Sequence, residues 1–544
     1  MERTKHKCSI SGGAILRQFL EINQISYVFG NPGTTETTFL SALSGSKTEY
    51  ILSLHESSAT GIAAGYALIT KKPAVVNIHT FPGLANALFN MKNAYDSGIG
   101  LLVIAGQQDT RFLIHNPVLA ASNTELAKTT TKYAYEVARI DDLHIALQRC
   151  YVQATLEPKK PVFLSIPMNI MNLETHQEIS FRHTKIIDDC VPESLQDVLT
   201  ALMNVPTGKL VIIADYAVGA CGAIDELSLL AQHLHGDIYS AAFHVEGVVN
   251  PQSPNYRGQL PVTTAEIRHI LSQYDTLLLL GEKIDTFLYT GEQALPPTLK
   301  MIHISPVANQ LGFDYPVDIA VCGHLKATLR TILTALGAQL TLHTPLTKPS
   351  TDLKALQNMY AASDRDPTDQ VLLELLQQLD RTLHLVTEGS AEDSIVQDIA
   401  IKLNFMNVHF SPRGGGLGWA MPLAVGIALA TSSHAICFVG DGGSLFSIHS
   451  IWTAAKHKIP VIFICFINHE YRILKDLWCI EKNIAFDQAN FIGLDFNNPE
   501  VNIASIASGF GARIDECNHS KDVSDCLKND FAHQGPTFIL INRR

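Results

Sequence analysis

Short apolar runs alternate with amphipathic stretches along almost the whole chain. Residues 27–29, 74–79, 101–105 and 162–166 read as buried strands, with helical patterns opening at small or polar residues between them. Strands that are apolar on both faces and separated by helix-length segments indicate a parallel sheet covered on both sides. The rhythm returns at 210–214, 276–280 and 301–304, and again at 383–387, 435–439, 461–467 and 537–541.

Two breaks divide these blocks. One is the polar, proline-bearing segment 188–193. The other runs from about 340 to 369, with Pro345, Pro349, Pro367 and many Ser, Thr and Asp, and reads as a linker around a short helix. The expectation is three doubly wound α/β domains: 1–187, a central domain over 188–340, a linker over 341–369, and a last domain over 370–544.

Composition narrows the function. A chain of 544 residues is too long for one core. Hydrophobic residues at 46% against 17% charged describe a globular protein, and a net charge of −12 argues against a nucleic-acid surface. The N-terminus has no apolar segment of signal-peptide length, and no apolar run reaches bilayer length. Ten scattered cysteines without a CxxC pair suggest buried free thiols. A cytoplasmic location is the default expectation.

The sharpest chemical signal is Gly440-Asp441-Gly442-Gly443-Ser444, which follows a strand and opens a helix, with Asn468 27 residues after Asp441 at the end of the next strand. Both lie past the C-terminal ends of parallel strands, where open α/β sheets bind ligands. The glycines let backbone approach phosphate oxygens, and a helix start favours negative charge. A hard divalent cation takes oxygen ligands, which Asp441, the amide of Asn468 and the backbone carbonyl of Glu470 can supply. A plain turn at Gly-Asp-Gly and a strand-end cap at Asn468 is the simpler alternative. Glu56, between a strand and a small-residue helix, is the second signal, because burying a lone carboxylate is costly. Its simpler reading is a helix N-terminal acid.

The segment 440–471 resembles the cofactor motif of thiamine-diphosphate enzymes, and most of all that of benzoylformate decarboxylase and its acetolactate-synthase relatives. The stretches Gly30-Asn31-Pro32-Gly33-Thr34, Leu54-His55-Glu56-Ser57 and His79-Thr80-Phe81-Pro82-Gly83 are similar to the pyrimidine-binding domain of that group. The resemblance implies Mg²⁺ or Ca²⁺ on Asp441, Asn468 and the Glu470 carbonyl, holding thiamine diphosphate with Gly440, Gly442, Gly443, Ser444 and Tyr471. It implies that Glu56 hydrogen-bonds the pyrimidine ring. Thr34 would contact substrate carboxylate, and His79 would transfer protons, unless it is a hydrogen-bonded core histidine. Gln107 or Gln108 would lie near the ring.

Gly414-Gly415-Gly416-Leu417-Gly418 resembles the turn that wedges an apolar residue, here Leu417, beneath the cofactor beside Gly415. The same run fits a dinucleotide fingerprint only loosely. Thr387-Glu388-Gly389-Ser390 resembles a second contact loop, with Glu388, Gly389 and Ser390 as candidates. Leu474 and Leu477, at i and i+3 of a helix after Glu470, would line an apolar substrate pocket or simply pack in the core.

There are departures. His469 stands where the motif usually has Asn or Gly. No histidine occurs in 281–289, where the decarboxylase has a second active-site His and this chain has Leu288; His115 or His469 are the possible substitutes. FAD is not expected in the central domain. The implied activity is decarboxylation of a benzoylformate-like 2-oxo acid to an aldehyde and CO₂. An acetolactate-synthase-like carboligase and a non-catalytic cofactor-binding relative are the alternatives. The resemblance also implies a homotetramer with active sites shared between subunits.

Overall fold

Continuous apolar runs rich in Val, Ile, Leu and Phe form the inner strands, because a parallel sheet with helices on both faces leaves neither side to water. The structure, a computed structural model, describes residues 9–182, 184–244, 247–338, 353–360, 367–388, 391–405, 407–409 and 413–543. The chain divides into two bodies: one comprises Met1–Ile186, His384–Asp393 and Gly414–Arg544, the other Ile187–Leu383 and Ser394–Arg413.

In the first body the N-terminal sheet contains β1 (Tyr27–Asn31), β2 (Glu49–Leu52), β3 (Ala74–Ile78), β4 (Leu101–Gln107), β5 (Tyr133–Glu136) and β6 (Val162–Pro167). All pair in parallel, in the order β2-β1-β3-β4-β6-β5. Helix α1 (Glu56–Thr70) follows β2, and α2 (Thr80–Asp96) follows β3.

The second body is built on β7 (Leu210–Ala214), β8 (Asp237–Ser240), β9 (Tyr256–Gln259), β10 (Thr276–Leu280), β11 (Lys300–Ser305) and β12 (Ile319–Cys322), all parallel in the order β9-β8-β7-β10-β11-β12. The order reverses between β7 and β10, and sheets of this type bind nucleotides at that point. Here it holds a side-chain cluster. Asp215, fully buried, follows β7 and accepts from the Glu282 amide at 2.6 Å. Arg413 Nε lies 3.0 Å from both oxygens of Asp285, its Nη2 is 3.3 Å from Asp215, and its guanidinium packs over the Tyr216 ring. Burial pushes Asp215 up to about 6 against the pull of Arg413.

The C-terminal sheet of the first body contains β13 (His384–Glu388), β14 (Ala435–Gly440), β15 (Val461–Ile467), β16 (Arg513–Glu516) and β17 (Thr537–Asn542), parallel in the order β13-β14-β15-β17-β16. Without the edge strand β2, the N-terminal sheet has the same order. Helix α3 (Ala420–Thr431) of this half packs on α1. A Cβ on Gly65 would lie 2.1 Å from the Leu423 carbonyl oxygen, and one on Gly426 would lie 2.0 Å from that of Ile62. Only glycines let the two helices touch backbone to backbone. Among the described residues, no helix is long and apolar enough to cross a membrane.

Candidate active site

Glu56 is the first residue of α1. His55 caps the helix, its Nδ1 accepting from the Ser57 amide at 3.2 Å. The Glu56 carboxylate is buried, and its hydrogen bonds are neutral: Asn31 Nδ2 donates to Oε1 at 3.1 Å and Asn86 Nδ2 to Oε2 at 2.9 Å. Among the described residues no Lys or Arg pairs with it. Asn31 comes from the end of β1 and Asn86 from α2, so the loop after one strand and the helix after another converge on one carboxylate.

His79, the N-cap of α2, stands beside the Asn31-Pro32-Gly33 loop. Its Nδ1 is 2.9 Å from Glu36 Oε2 and 3.1 Å from Thr35 Oγ1. Thr34 is exposed, at the start of a 3₁₀ turn over Thr34–Glu36. Gln107 is buried at the end of β4, where its Nε2 donates to the Ala121 carbonyl at 2.8 Å and to Glu136 at 3.3 Å. It thus serves a network between β4 and β5; the neighbouring Gln108 is partly exposed.

On the C-terminal side, Asp441 is 2% exposed, and its carboxylate accepts three backbone N–H groups: Gly442 at 2.7 Å, Asn468 at 2.9 Å and His469 at 2.6 Å. Burial nevertheless raises its carboxyl above the ordinary range. Among the described residues it has no Lys or Arg partner. Leu417, Gly440, Gly442, Gly443, Asn468, Glu470, Tyr471 and Ile473 line a cavity with Asp441. A Cβ on Gly443 would meet only Val439 Cγ2 at 3.5 Å and Glu388 Oε1 at 3.9 Å, so no neighbour crowds this backbone. A buried carboxylate without a cation, beside an amide oxygen and a glycine-lined hollow, suits a hard divalent ion and an anionic diphosphate.

His469 has a φ of 56°, the left-handed region that favours Gly and Asn. Its residue type is therefore a departure that the backbone tolerates, and its Nε2 lies 3.6 Å from Glu500. His115 sits on an exposed 3₁₀ turn. Leu288, in the second body, is held by its amide to the Val262 carbonyl at 3.2 Å.

The Gly414–Gly418 loop is held by α2. Asn93 Nδ2 donates to the Gly416 carbonyl and Asn90 Nδ2 to that of Gly418, each at 3.2 Å, while Gly415 turns at a φ of 67°. Glu388 borders the cavity, but both its oxygens accept from the Gly418, Trp419 and Ala420 amides, capping α3; burial pushes it up to about 7. Ser444 Oγ donates to the Asp441 carbonyl at 2.7 Å and so is spent within its own turn. Tyr471 packs on Phe496 across Gly442. Gly389 and Ser390 lie outside the described residues.

On the following helix, α4 (Arg472–Lys482), Ile473 lines the cavity, whereas Leu474 is exposed and Leu477 partly so. Ile473, Ala391 and Glu392 escaped sequence reasoning, since neither periodicity nor a motif marks them. Glu36 escaped it too, although an acid two residues beyond the Gly33-Thr34 step was the available signal.

Three family models match the chain. "Thiamine pyrophosphate enzyme, N-terminal TPP binding domain" covers residues 10–123, the central domain of the same family 197–332, and its C-terminal TPP binding domain 399–541. The benzoylformate decarboxylase of Pseudomonas aeruginosa is 24% identical over 530 residues, covering 96% of this chain and 97% of that one. The acetolactate synthase large subunit of Haemophilus influenzae is 24% identical over 491 residues, covering 86% and 83%. The crystal structure of benzoylformate decarboxylase from Polynucleobacter necessarius superposes with a TM-score of 0.87 at 25% identity, covering 98% of both chains.

Proposed function

The chain belongs to the thiamine pyrophosphate enzyme family, and on that premise we propose that it decarboxylates a benzoylformate-like 2-oxo acid non-oxidatively to an aldehyde and CO₂. The observation that carries the reading is a pair of buried carboxylates, Glu56 and Asp441, neither of which has a cationic partner among the described residues. Burying an acid without a cation beside it costs stability, and a use at a ligand site is what such a group is kept for.

Asp441, the Asn468 amide and the Glu470 carbonyl would hold Mg²⁺, with Ca²⁺ as an equivalent ion, and the backbone at Gly440, Gly442, Gly443 and Gly415 would border the diphosphate. Leu417 would support the ring system from below. Thiamine diphosphate supplies, when bound, the nucleophilic carbon and the electron sink that loss of CO₂ requires. Glu56 would share a proton with the pyrimidine nitrogen, held in aim by Asn31 and Asn86. Thr34 would orient the substrate carboxylate, and His79 would move a proton through Nε2. We further propose a cytoplasmic homotetramer with sites shared between subunits. The exposed apolar side chains of Phe112, Ile114 and Val118 support a partner surface there.

Acetolactate-synthase relatives are just as similar in sequence, which favours carboligation as the second reading. Product analysis with benzoylformate, pyruvate and branched 2-oxo acids separates them. The proposal expects aldehyde and CO₂; acetohydroxy acid from pyruvate would establish the carboligase, and no turnover with bound cofactor a non-catalytic relative.

A further inference from the structure

Resting on the proposed role of His79, we propose that Glu36 is its positioning residue: it holds the imidazole with the proton on Nδ1, leaving Nε2 as the proton-transferring atom. Glu36 is 2% exposed, receives three hydrogen bonds and contacts His79 as its fourth polar neighbour. Thr35 Oγ1, at 2.6 Å, and the Gly106 amide, at 2.9 Å, both donate to Oε1; the Gly33 amide donates to Oε2 at 2.8 Å, and His79 Nδ1 lies 2.9 Å from that same oxygen. Every acceptor site is used, which suits the carboxylate form. No Lys or Arg among the described residues competes for it.

The tautomer follows from counting protons. Thr35 has one hydroxyl proton, and at 2.6 Å it goes to Glu36. The Thr35 oxygen then faces His79 Nδ1, 3.1 Å away, with a lone pair. Both neighbours of Nδ1 are acceptors, so Nδ1 carries hydrogen. Nε2 has no hydrogen bond among the described residues, and the ring is partly exposed.

Two glycines report the same constraint from the backbone. A Cβ on Gly33 would sit 2.2 Å from His79 Cγ, and one on Gly106 would sit 2.1 Å from Thr35 Oγ1 and 2.3 Å from Glu36 Oε1. The ring lies flat on one glycine and the carboxylate on the other, so both groups are fixed before any ligand arrives. In turnover Nε2 takes up from bulk solvent the one proton that conversion of a 2-oxo acid anion to aldehyde and CO₂ consumes, and is held as imidazolium against Glu36. It then releases that proton to the carbon from which CO₂ has left, and Glu36 stays ionised throughout.

The test is ¹⁵N NMR of the full chain labelled at histidine, without cofactor, with the His79 signal identified by its loss in His79→Gln. The wild type should show Nδ1–H and a bare Nε2 at neutral pH, and Glu36→Gln should lose that pattern. In the Mg²⁺–thiamine-diphosphate enzyme, Glu36→Gln should lower kcat for benzoylformate by at least about tenfold, with KM within about threefold and cofactor affinity unchanged. His79→Ala should lower kcat by about 100-fold. An Nε2–H tautomer in the wild type overturns the proposal, even if Glu36→Gln fails to fold. So does wild-type kcat in Glu36→Gln beside an inactive His79→Ala. Full activity in His79→Ala would instead remove the role of His79, and that of Glu36 with it, while the NMR pattern stood.

Discussion

The buried ionisable groups of this protein carry measurable pH signatures. His449 bonds Ser58 through Nε2 at 2.9 Å and packs against His55 at 5.0 Å between ring centres. Burial first, and His55 second, lower it to about 4 from an ordinary 6.5. As pH falls from 6.5 to 4, the unfolded chain takes up a proton that the folded one refuses, so this stability is complete above 6.5 and lost below it. The contribution is on the order of 3 kcal/mol. Glu388, raised to about 7, acts in the opposite sense: its contribution is present below its unfolded value and fades as pH rises through 7. Urea midpoints of wild type and His449→Gln between pH 7 and 4.5 isolate the histidine, because Glu388 cancels in the comparison. The variant should show the shallower acid loss; parallel curves would contradict the assignment. At this scale the placement of Asp441 and Asn468 past the ends of parallel strands, and of Glu56 at a helix start, was legible in the sequence, because glycines and apolar runs mark those boundaries. Glu36 and Ile473 were not, since their meaning comes from what a distant strand or turn brings beside them.

Between elements, the closest approach is that of α1 and α3. Gly426→Ala would press a methyl onto the Ile62 carbonyl, and the helices would have to part along their whole contact. Overpacking of this kind costs about 1–3 kcal/mol or more. At Gly509, on the helix Ile503–Gly509, an added Cβ meets nothing within 4 Å. Thermal denaturation should show a clearly lowered midpoint for Gly426→Ala and a nearly unchanged one for Gly509→Ala. Equal midpoints would mean that the two helices do not pack as described. The inner strands at 101–105, 210–214, 435–439 and 461–467 were readable from apolar runs alone. Edge strands were not: Tyr133–Glu136, Ile319–Cys322 and Arg513–Glu516 are half-buried or exposed at every position but Val321, so water removes the continuous apolar signal. The Arg413 cluster was equally invisible, because Asp215, Glu282 and Asp285 lie far from Arg413 in the chain and only the fold gathers them on one guanidinium.

For the molecule as a whole, the N-terminal and C-terminal sheets share one strand order and face each other through α1 and α3 within one body. The alternation of strand and helix announced the parallel α/β class, but strand order depends on pairing across distant segments and carries no local mark. The proposed tetramer is checked by light scattering of the wild type and of Ile114→Asp/Val118→Asp. The first should give a four-chain particle and the second a smaller, inactive one; a fully active single chain would exclude shared sites. Activation by Glu56 of a cofactor anchored at Asp441 is read from deuterium exchange at the thiazolium C2 position of bound thiamine diphosphate. Exchange should be rapid in the wild type and slowed by about 100-fold or more in Glu56→Gln with the cofactor still bound. Equal rates in the two proteins would contradict it.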